Sequence, residues 1–347
     1  MHRLRQFIDQ AGWPRIIIGL MLLSLFLVAP SVGVRIDTSL MDTIVRFGMN
    51  GVMVLAMIPM VQAGCGLNFG LPLGIIAGLL GATMSIELGL VGAAGFAGAI
   101  GIAILFACLF GWGYGVLLNH VKGNEMMVAM YVGFSCVSFM NIMWMVLPYH
   151  NSTMIWGYSG QGLRTTISVD RFWGKILDNL FAIRIGPNLM VPTGTILFFA
   201  LMACLMWAFF HTKTGTAMTA VGSNPDYARA SGISINRIRT TSVVLSTVYG
   251  AIGILLYEQS YGFISLYNGP FYMALPAVAA ILIGGASINK ANIVNVIIGT
   301  ILFQGILTVF PTVVNATIHT DAAEVVRLIV SNGMIVYALT RATRKSR

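Results

Sequence analysis

Residues 92–118 read GAAGFAGAIGIAILFACLFGWGYGVLL, twenty-seven positions without one charged side chain. As a helix rising about 1.5 Å per residue the run is about 40 Å long, and the hydrocarbon core of a bilayer is about 30 Å thick. It is apolar on every side, so no face is left for water. The rest of the chain repeats the pattern. Of its 347 residues, 57% are hydrophobic and only 9% are charged, with a mean hydropathy of +0.85. A soluble domain carries about 25% charged residues. So few charges cannot cover a water-facing surface, and lipid is the solvent this sequence implies.

Nine further apolar runs lie outward from the first, near 16–34, 44–63, 70–90, 126–148, 189–210, 239–258, 269–286, 293–311 and 322–340. Those at 70–90 and 269–286 are the least regular, broken by Pro72 and Pro276 and by glycines. The run from Ile16 follows Arg3, Arg5 and Arg15 as a secretion signal would. It is long for one, and no small-x-small cleavage site follows, so it reads as a retained first span. The expectation is an all-α, polytopic membrane protein with about ten transmembrane helices, forming a single domain over residues 1–347.

The 39 glycines suit membrane helices that approach closely, and the 21 methionines read as core or lipid-facing filler. Cys65, Cys108, Cys136 and Cys204 are scattered through apolar stretches without C-x-x-C spacing, and the histidines form no ligand cluster, so no metal is expected. The net charge of +9 sits in short loops and at the two ends. That is a topology signal and not a nucleic-acid surface. With both termini cytoplasmic, about thirteen Lys and Arg fall inside, among them Lys122, Lys213, Arg229 and Arg239, against about six outside. The localisation expected is the bacterial inner membrane. Residues 149–188 then form an external loop that mixes Trp156, Tyr158 and Trp173 with Arg164, Asp170 and Arg171. Its tail is read as an amphipathic piece lying on the membrane or as a face for an external partner.

The cytoplasmic loop, residues 211–238, is the most polar stretch. It contains Ala220-Val-Gly-Ser-Asn-Pro-Asp-Tyr-Ala-Arg-Ala-Ser-Gly-Ile233. Asn224 is a good N-cap, Pro225 fits the first helical position, and Asp226 complements the positive end of the helix dipole. Ala228 and Arg229 are strong helix formers, and Gly232 is a natural stop. A helix of about two turns is predicted, standing off the membrane. By its physics alone it is either a tidy connector or a rigid protrusion for an external motor.

The run Gly222-x-Asn224-Pro225-Asp226-x-Ala228-Arg229-x-x-Gly232-Ile233 resembles the ATPase-coupling loop of ABC importer permeases of the ribose, simple-sugar, autoinducer-2 and nucleoside group. Gly284-Gly285-Ala286-Ser287-Ile288 resembles that family's glycine-pair turn, and Gly115 to Asn119 its Gly-x-x-x-Asn segment. The resemblance implies a type II importer permease fold and places Gly222, Asn224, Pro225, Asp226, Ala228, Arg229 and Gly232 against a nucleotide-binding subunit. It also implies the partners: ABC ATPase subunits, a second permease subunit, identical or paralogous, and an extracytoplasmic solute-binding protein. The sequence departs from the family at Gly66-Leu-Asn68, where an acid is usual, at Asn289-Lys-Ala-Asn292 in place of a second glycine pair, and at Tyr227 in place of alanine. Lys122-Gly-Asn-Glu-Met-Met127 looks closer to the nucleoside members than to the ribose members.

No G-x-x-x-x-G-K-[S/T] phosphate loop is present, so ATP and Mg belong to the partner ATPase and no catalytic residue is expected here. Ionisable and amide groups inside spans are costly and invite functional readings. Asn68, Glu87, Glu258 and Gln304 are the candidates for a translocation path, with Asn141, Gln259 and Arg327 beside them. Each also has a plain alternative as a helix–helix hydrogen bond or a headgroup-level residue. The function expected is a permease moving a small polar solute, a simple sugar or a nucleoside, by alternating access. The alternative is an ion-coupled secondary transporter.

Overall fold

The computed structural model describes residues 13–157, 162–186, 189–318 and 323–344. Arg3, Arg5, Tyr158, His319, Lys345 and Arg347 lie outside these residues. The first part of the chain forms α1 (Trp13–Val28), α2 (Ile36–Leu55), α3 (Met57–Gln62), α4 (Leu71–Glu87), α5 (Gly92–His120) and α6 (Glu125–Val146). After a long connection come α7 (Ile176–Asn179), α8 (Thr193–Phe210), α9 (Lys213–Ser223) and α10 (Pro225–Ala230). The chain then runs through α11 (Ile235–Tyr261), α12 (Gly269–Ile283), α13 (Ile293–Ile318) and α14 (Ala323–Arg344).

Seven of the described helical segments are long and apolar enough to cross a membrane, and three shorter apolar helices lie at Leu71–Glu87, Gly269–Ile283 and Val325–Thr340. Together they account for the ten runs of the sequence, and the fold is an all-α polytopic membrane bundle. Two of the three short ones are the irregular runs. Pro72 does not break its run but sits in the first turn of α4, where no amide hydrogen is needed, whereas Pro276 lies inside α12. The second run starts earlier than 44: α2 begins at Ile36 and the span is interrupted at Ala56. The Ala56 carbonyl at that interruption accepts from Ser246 Oγ of α11 at 2.5 Å.

The core forms where α2, α4, α5 and α11 meet. Nearly every residue of α4 is buried. Close approach explains its glycines: a Cβ on Gly78 would run into Ile254 and the Ala251 backbone of α11. Small residues on facing helices let backbones touch, so dispersion can hold helices together where the hydrophobic effect between them is absent. The outer faces of α5 and α6 show the opposite pattern. Leu105 is 72% exposed and Met145 65%, an apolar belt that only lipid or another subunit can cover.

The connection between α6 and α8 is more ordered than a loop. β1 (Thr166–Ser168) pairs antiparallel with β4 (Phe263–Ser265), with Ile167 opposite Ile264. β2 (Ile183–Gly186) and β3 (Leu189–Val191) form a hairpin ahead of α8. Ile167, Val169 and Trp173 are buried, while Leu180, Phe181 and Ile183 of the tail are exposed. The polar stretch 211–238 is likewise helical over most of its length, as α9, α10 and the start of α11. The stretch that the sequence assigns to a loop around one short helix is two helices meeting at Asn224.

Candidate functional site

α10 is built by local rules. Asn224 lies in extended conformation and its side chain accepts from Tyr227 N at 3.0 Å, an N-cap bond. Pro225 opens the helix and Asp226 lies in the first turn. At the other end Gly232 takes φ +79. Its N–H donates to Arg229 O and that of Ile233 to Ala228 O, both at 3.0 Å. That pair of bonds is the Schellman stop, which needs a left-handed residue and so favours glycine. Ala228 is the buried residue of α10, and Asn224, Pro225, Asp226, Tyr227, Arg229 and Gly232 are exposed. Arg229 Nη1 and Asp226 Oδ1 are 3.5 Å apart at the surface, a pairing of the exposed kind that adds little stability.

α10 does not stand clear of the bundle. α9 packs on α3, α8 and α11, and its penultimate residue, Gly222, meets the turn after α3. A Cβ on Gly222 would collide with the Gln62 carbonyl and the Gly64 amide, and one on Gly64 would lie 3.1 Å from Gly222 Cα. Gly64 (φ +70) ends α3 by the same Schellman bonds, from Gly64 N to Val61 O and Cys65 N to Met60 O. Gln62 Nε2 donates to Ala291 O at 2.5 Å, which ties this turn to the loop after α12.

The two weaker sequence segments have structural roles around the same end. Gly285 (φ +83) ends α12 with its N–H to Leu282 O and Ala286 N–H to Ile281 O. Asn292 and Asn295, which follow where a second glycine pair is absent, cap α13 reciprocally at 2.9 Å each way. Gly115 lies against Thr240 Cα, and Asn119 Nδ2 donates to Asn236 O and Thr240 Oγ1 at 3.0 and 2.9 Å. Glycine and asparagine one turn apart thus clamp α5 to α11.

A cavity of about 260 Å³ lies under α10, with Gly64, Gly222, Lys122, Arg229, Arg239 and Asn289 in its wall. Arg239 is not a loop charge as its place in the sequence implies. It is 9% exposed, and its Nη2 donates to Glu125 Oε1 at 2.5 Å. Glu125 Oε2 also accepts from Gly123 N at 2.9 Å, so one carboxylate holds both α11 and the turn carrying Lys122.

The four path candidates are dispersed. Asn68 is fully buried, with Nδ2 donating to Ser246 Oγ at 2.8 Å and Oδ1 accepting from Tyr114 OH at 3.3 Å. It joins the start of α4 to α5 and α11, and through Ser246 to the break at Ala56. Glu87 sits at the end of α4 and accepts from the backbone N–H groups of His150 and Asn151 at 2.9 and 3.1 Å. Burial, with this carboxylate adding to it, pushes the nearby Tyr149 phenol up. Glu258 is buried in α11, and neither carboxylate oxygen has a partner among the described residues. Gln304 is buried in α13. None of the four lines the cavity under α10.

A polar cluster went unread in the sequence. Asp178, in α7, is 7% exposed. Its Oδ1 accepts from Thr195 Oγ1 at 2.5 Å, Ser260 Oγ at 2.8 Å and Gln259 Nε2 at 3.3 Å. Three donors on one oxygen fasten α7, α8 and the end of α11 together. Gln259 is the legible part, as an amide beside Glu258 near the end of an apolar run.

The ten apolar helical segments among the described residues, with a capped helix exposed beside them, make up a multi-pass membrane bundle. The chain belongs to the family of branched-chain amino acid transport system permease components, whose pattern matches residues 39–339. It is 30% identical over 107 residues to the galactose/methyl galactoside import permease protein MglC of Haemophilus influenzae, covering 30% of this chain and 32% of that one. It is 28% identical over 120 residues to the ribose import permease protein RbsC of Escherichia coli K12, covering 34% and 37%. The matched stretch spans about a third of the length of these curated relatives. An inward-facing ABC transporter assigned to the metal-chelate type aligns over 93% of this chain and 98% of its own, at 12% identity and a TM-score of 0.44.

Proposed function

We propose that the chain is the membrane-spanning subunit of an ATP-binding cassette importer for a simple sugar or a nucleoside, and that α10 receives the thrust of a separate ATPase. The observation that carries the reading is the build of α10: it is capped at both ends, buries Ala228, and presents its other side chains. The close contact of Gly222 with the Gln62–Gly64 turn continues that helix into an interrupted span. A push on α10 therefore reaches α3, and through Ser246 and Asn68 reaches α4, α5 and α11. Relatives named for galactose and ribose favour the sugar arm over the nucleoside arm.

In this reading residues 1–347 are one permease domain, with 211–238 and both termini on the cytoplasmic side of the inner membrane and 149–188 outside. A second permease copy or paralogue completes the path, an external binding protein delivers the solute, and ATP and Mg stay with the ATPase. Asn68, Glu87, Glu258 and Gln304 remain the candidates for contact with the path, although Asn68 and Glu87 have hydrogen-bonding work already.

One observation favours a second reading, ion-coupled transport: the buried, unpartnered carboxylate of Glu258. Purification from native membranes in mild detergent, followed by mass spectrometry, tests the two. A stoichiometric ATPase is expected. A preparation without one, even with nucleotide and crosslinker added, would sink the importer reading.

A further inference from the structure

The wall of the cavity under α10 is built for negative charge. Lys122 reaches it from the α5–α6 turn, Arg229 from α10 and Arg239 from α11, with the amide of Asn289 beside them. Among the described residues no carboxylate lines it. The two acids close by already pair with two of these cations, Glu125 with Arg239 Nη2 and Asp226, on the exposed face of α10, loosely with Arg229 at 3.5 Å, so the uncompensated charge is that of Lys122 and the uncompensated donor that of Arg239. Arg239 is nine-tenths buried, and its Nε–H has no hydrogen-bond partner among the described residues. A buried guanidinium with an idle donor is costly, and oxyanions are the acceptors that match its planar fork. At about 260 Å³ the space lies just under the roughly 300–1,000 Å³ of drug-sized pockets and has room for a small anion.

We propose that this cavity is a binding site for a small oxyanion, a phosphate or a carboxylate, held by Lys122, Arg229 and Arg239. The site deepens the importer reading and rests on it for its consequence. An anion there would bridge the coupling helix to α11 and to the α5–α6 turn, and would set how freely α10 moves. The oxyanion has two possible sources with one chemistry, free inorganic phosphate or an acidic side chain of a docked ATPase.

The test uses the full-length chain purified in lipid nanodiscs. Inorganic phosphate is titrated at constant ionic strength, balanced with chloride, while thermal unfolding is followed by tryptophan fluorescence. The expected result is a saturable rise in the unfolding midpoint, as mass action requires of a ligand that binds the folded state. Half-saturation should weaken about tenfold, the loss of roughly one charge-assisted bond, in Lys122→Gln/Arg229→Gln, whose side chains are both exposed. Arg171→Gln, in the external connection, should leave it unchanged. Glu125→Gln/Arg239→Gln removes the buried pair together and should abolish the response. No saturable rise in the unsubstituted protein, or an unchanged half-saturation in Lys122→Gln/Arg229→Gln, would overturn the proposal. Repeating the titration with the ATPase bound separates the sources: a response lost on docking assigns the acceptor to the partner, and a response retained assigns it to the free anion. Binding is read on the permease alone, so a negative result leaves the importer reading standing, and failure of an ATPase to co-purify leaves this site standing.

Discussion

Gly222, next to last in α9, and Gly64, in the turn that ends α3, touch backbone to backbone, with no room at Gly222 for even a methyl group. The contact joins α9, which leads into the exposed α10, to one of the most buried spans among the described residues. Gly222→Ala must shift backbone atoms of the Gln62–Gly64 turn, and overpacking of this kind costs about 1–3 kcal/mol. The variant is expected to insert in the membrane, to unfold at a lower temperature and to lose most solute uptake in vesicles. Wild-type uptake with wild-type stability would show that the contact carries nothing.

Gly232→Pro removes the N–H that bonds Arg229 O and demands a negative φ where the chain has +79. The C-terminal stop of α10 should unravel. Solute-stimulated ATP hydrolysis and uptake by the assembled importer should both fall, with the protein still inserted. Normal values of both would remove α10 from the coupling path.

Asn224→Ala is the milder companion. It deletes the side-chain bond to Tyr227 N and should cost about 0.5–2 kcal/mol of helix stability. Partial uncoupling is expected, with Asn224→Ser or Asn224→Asp close to the original. A serine variant as defective as the alanine variant would mean that the amide contacts a partner directly and does not act as a cap.

Asn68→Leu removes the acceptor of Tyr114 OH and one of the two hydrogen bonds of Ser246 Oγ, which keeps its bond to Ala56 O, at the break in the second span. A buried polar group without its partner costs about 1–3 kcal/mol. Uptake should fall while the ATPase still co-purifies. Unchanged transport in vesicles would leave Asn68 with no part in the path or in its bracing.

Glu258→Gln separates the two transport readings. An ATP-driven importer should retain uptake that is indifferent to the membrane proton gradient. Collapse of uptake in this variant, together with sensitivity of the original protein to an uncoupler, would move the assignment to ion-coupled transport.

What the sequence discloses follows the range of the interactions. Both caps of α10 lie within ten residues of each other, from Asn224 to Ile233, and were legible in full. The membrane spans were legible because lipid filters each segment alone, through its hydropathy. The tie between Arg239 and Glu125 was not, because 114 positions separate the partners. Arg239 looks like one more topology charge until α6 is laid beside α11. The burial of Asp178 was not legible either, because Thr195, Gln259 and Ser260, which hydrogen-bond to it, belong to other helices. The break at Ala56 carries no proline or glycine at the residue itself; its carbonyl is taken by a serine on another helix.

The anchoring of α10 by a single buried methyl group, with its ends closed by its own backbone and cap, has a consequence for how such a chain changes over generations. Tyr227 and Ala230, both exposed, can vary without refolding anything around them. In the proposed importer, preference for one ATPase over another can then drift by substitution on a single exposed turn, while the membrane spans stay as they are.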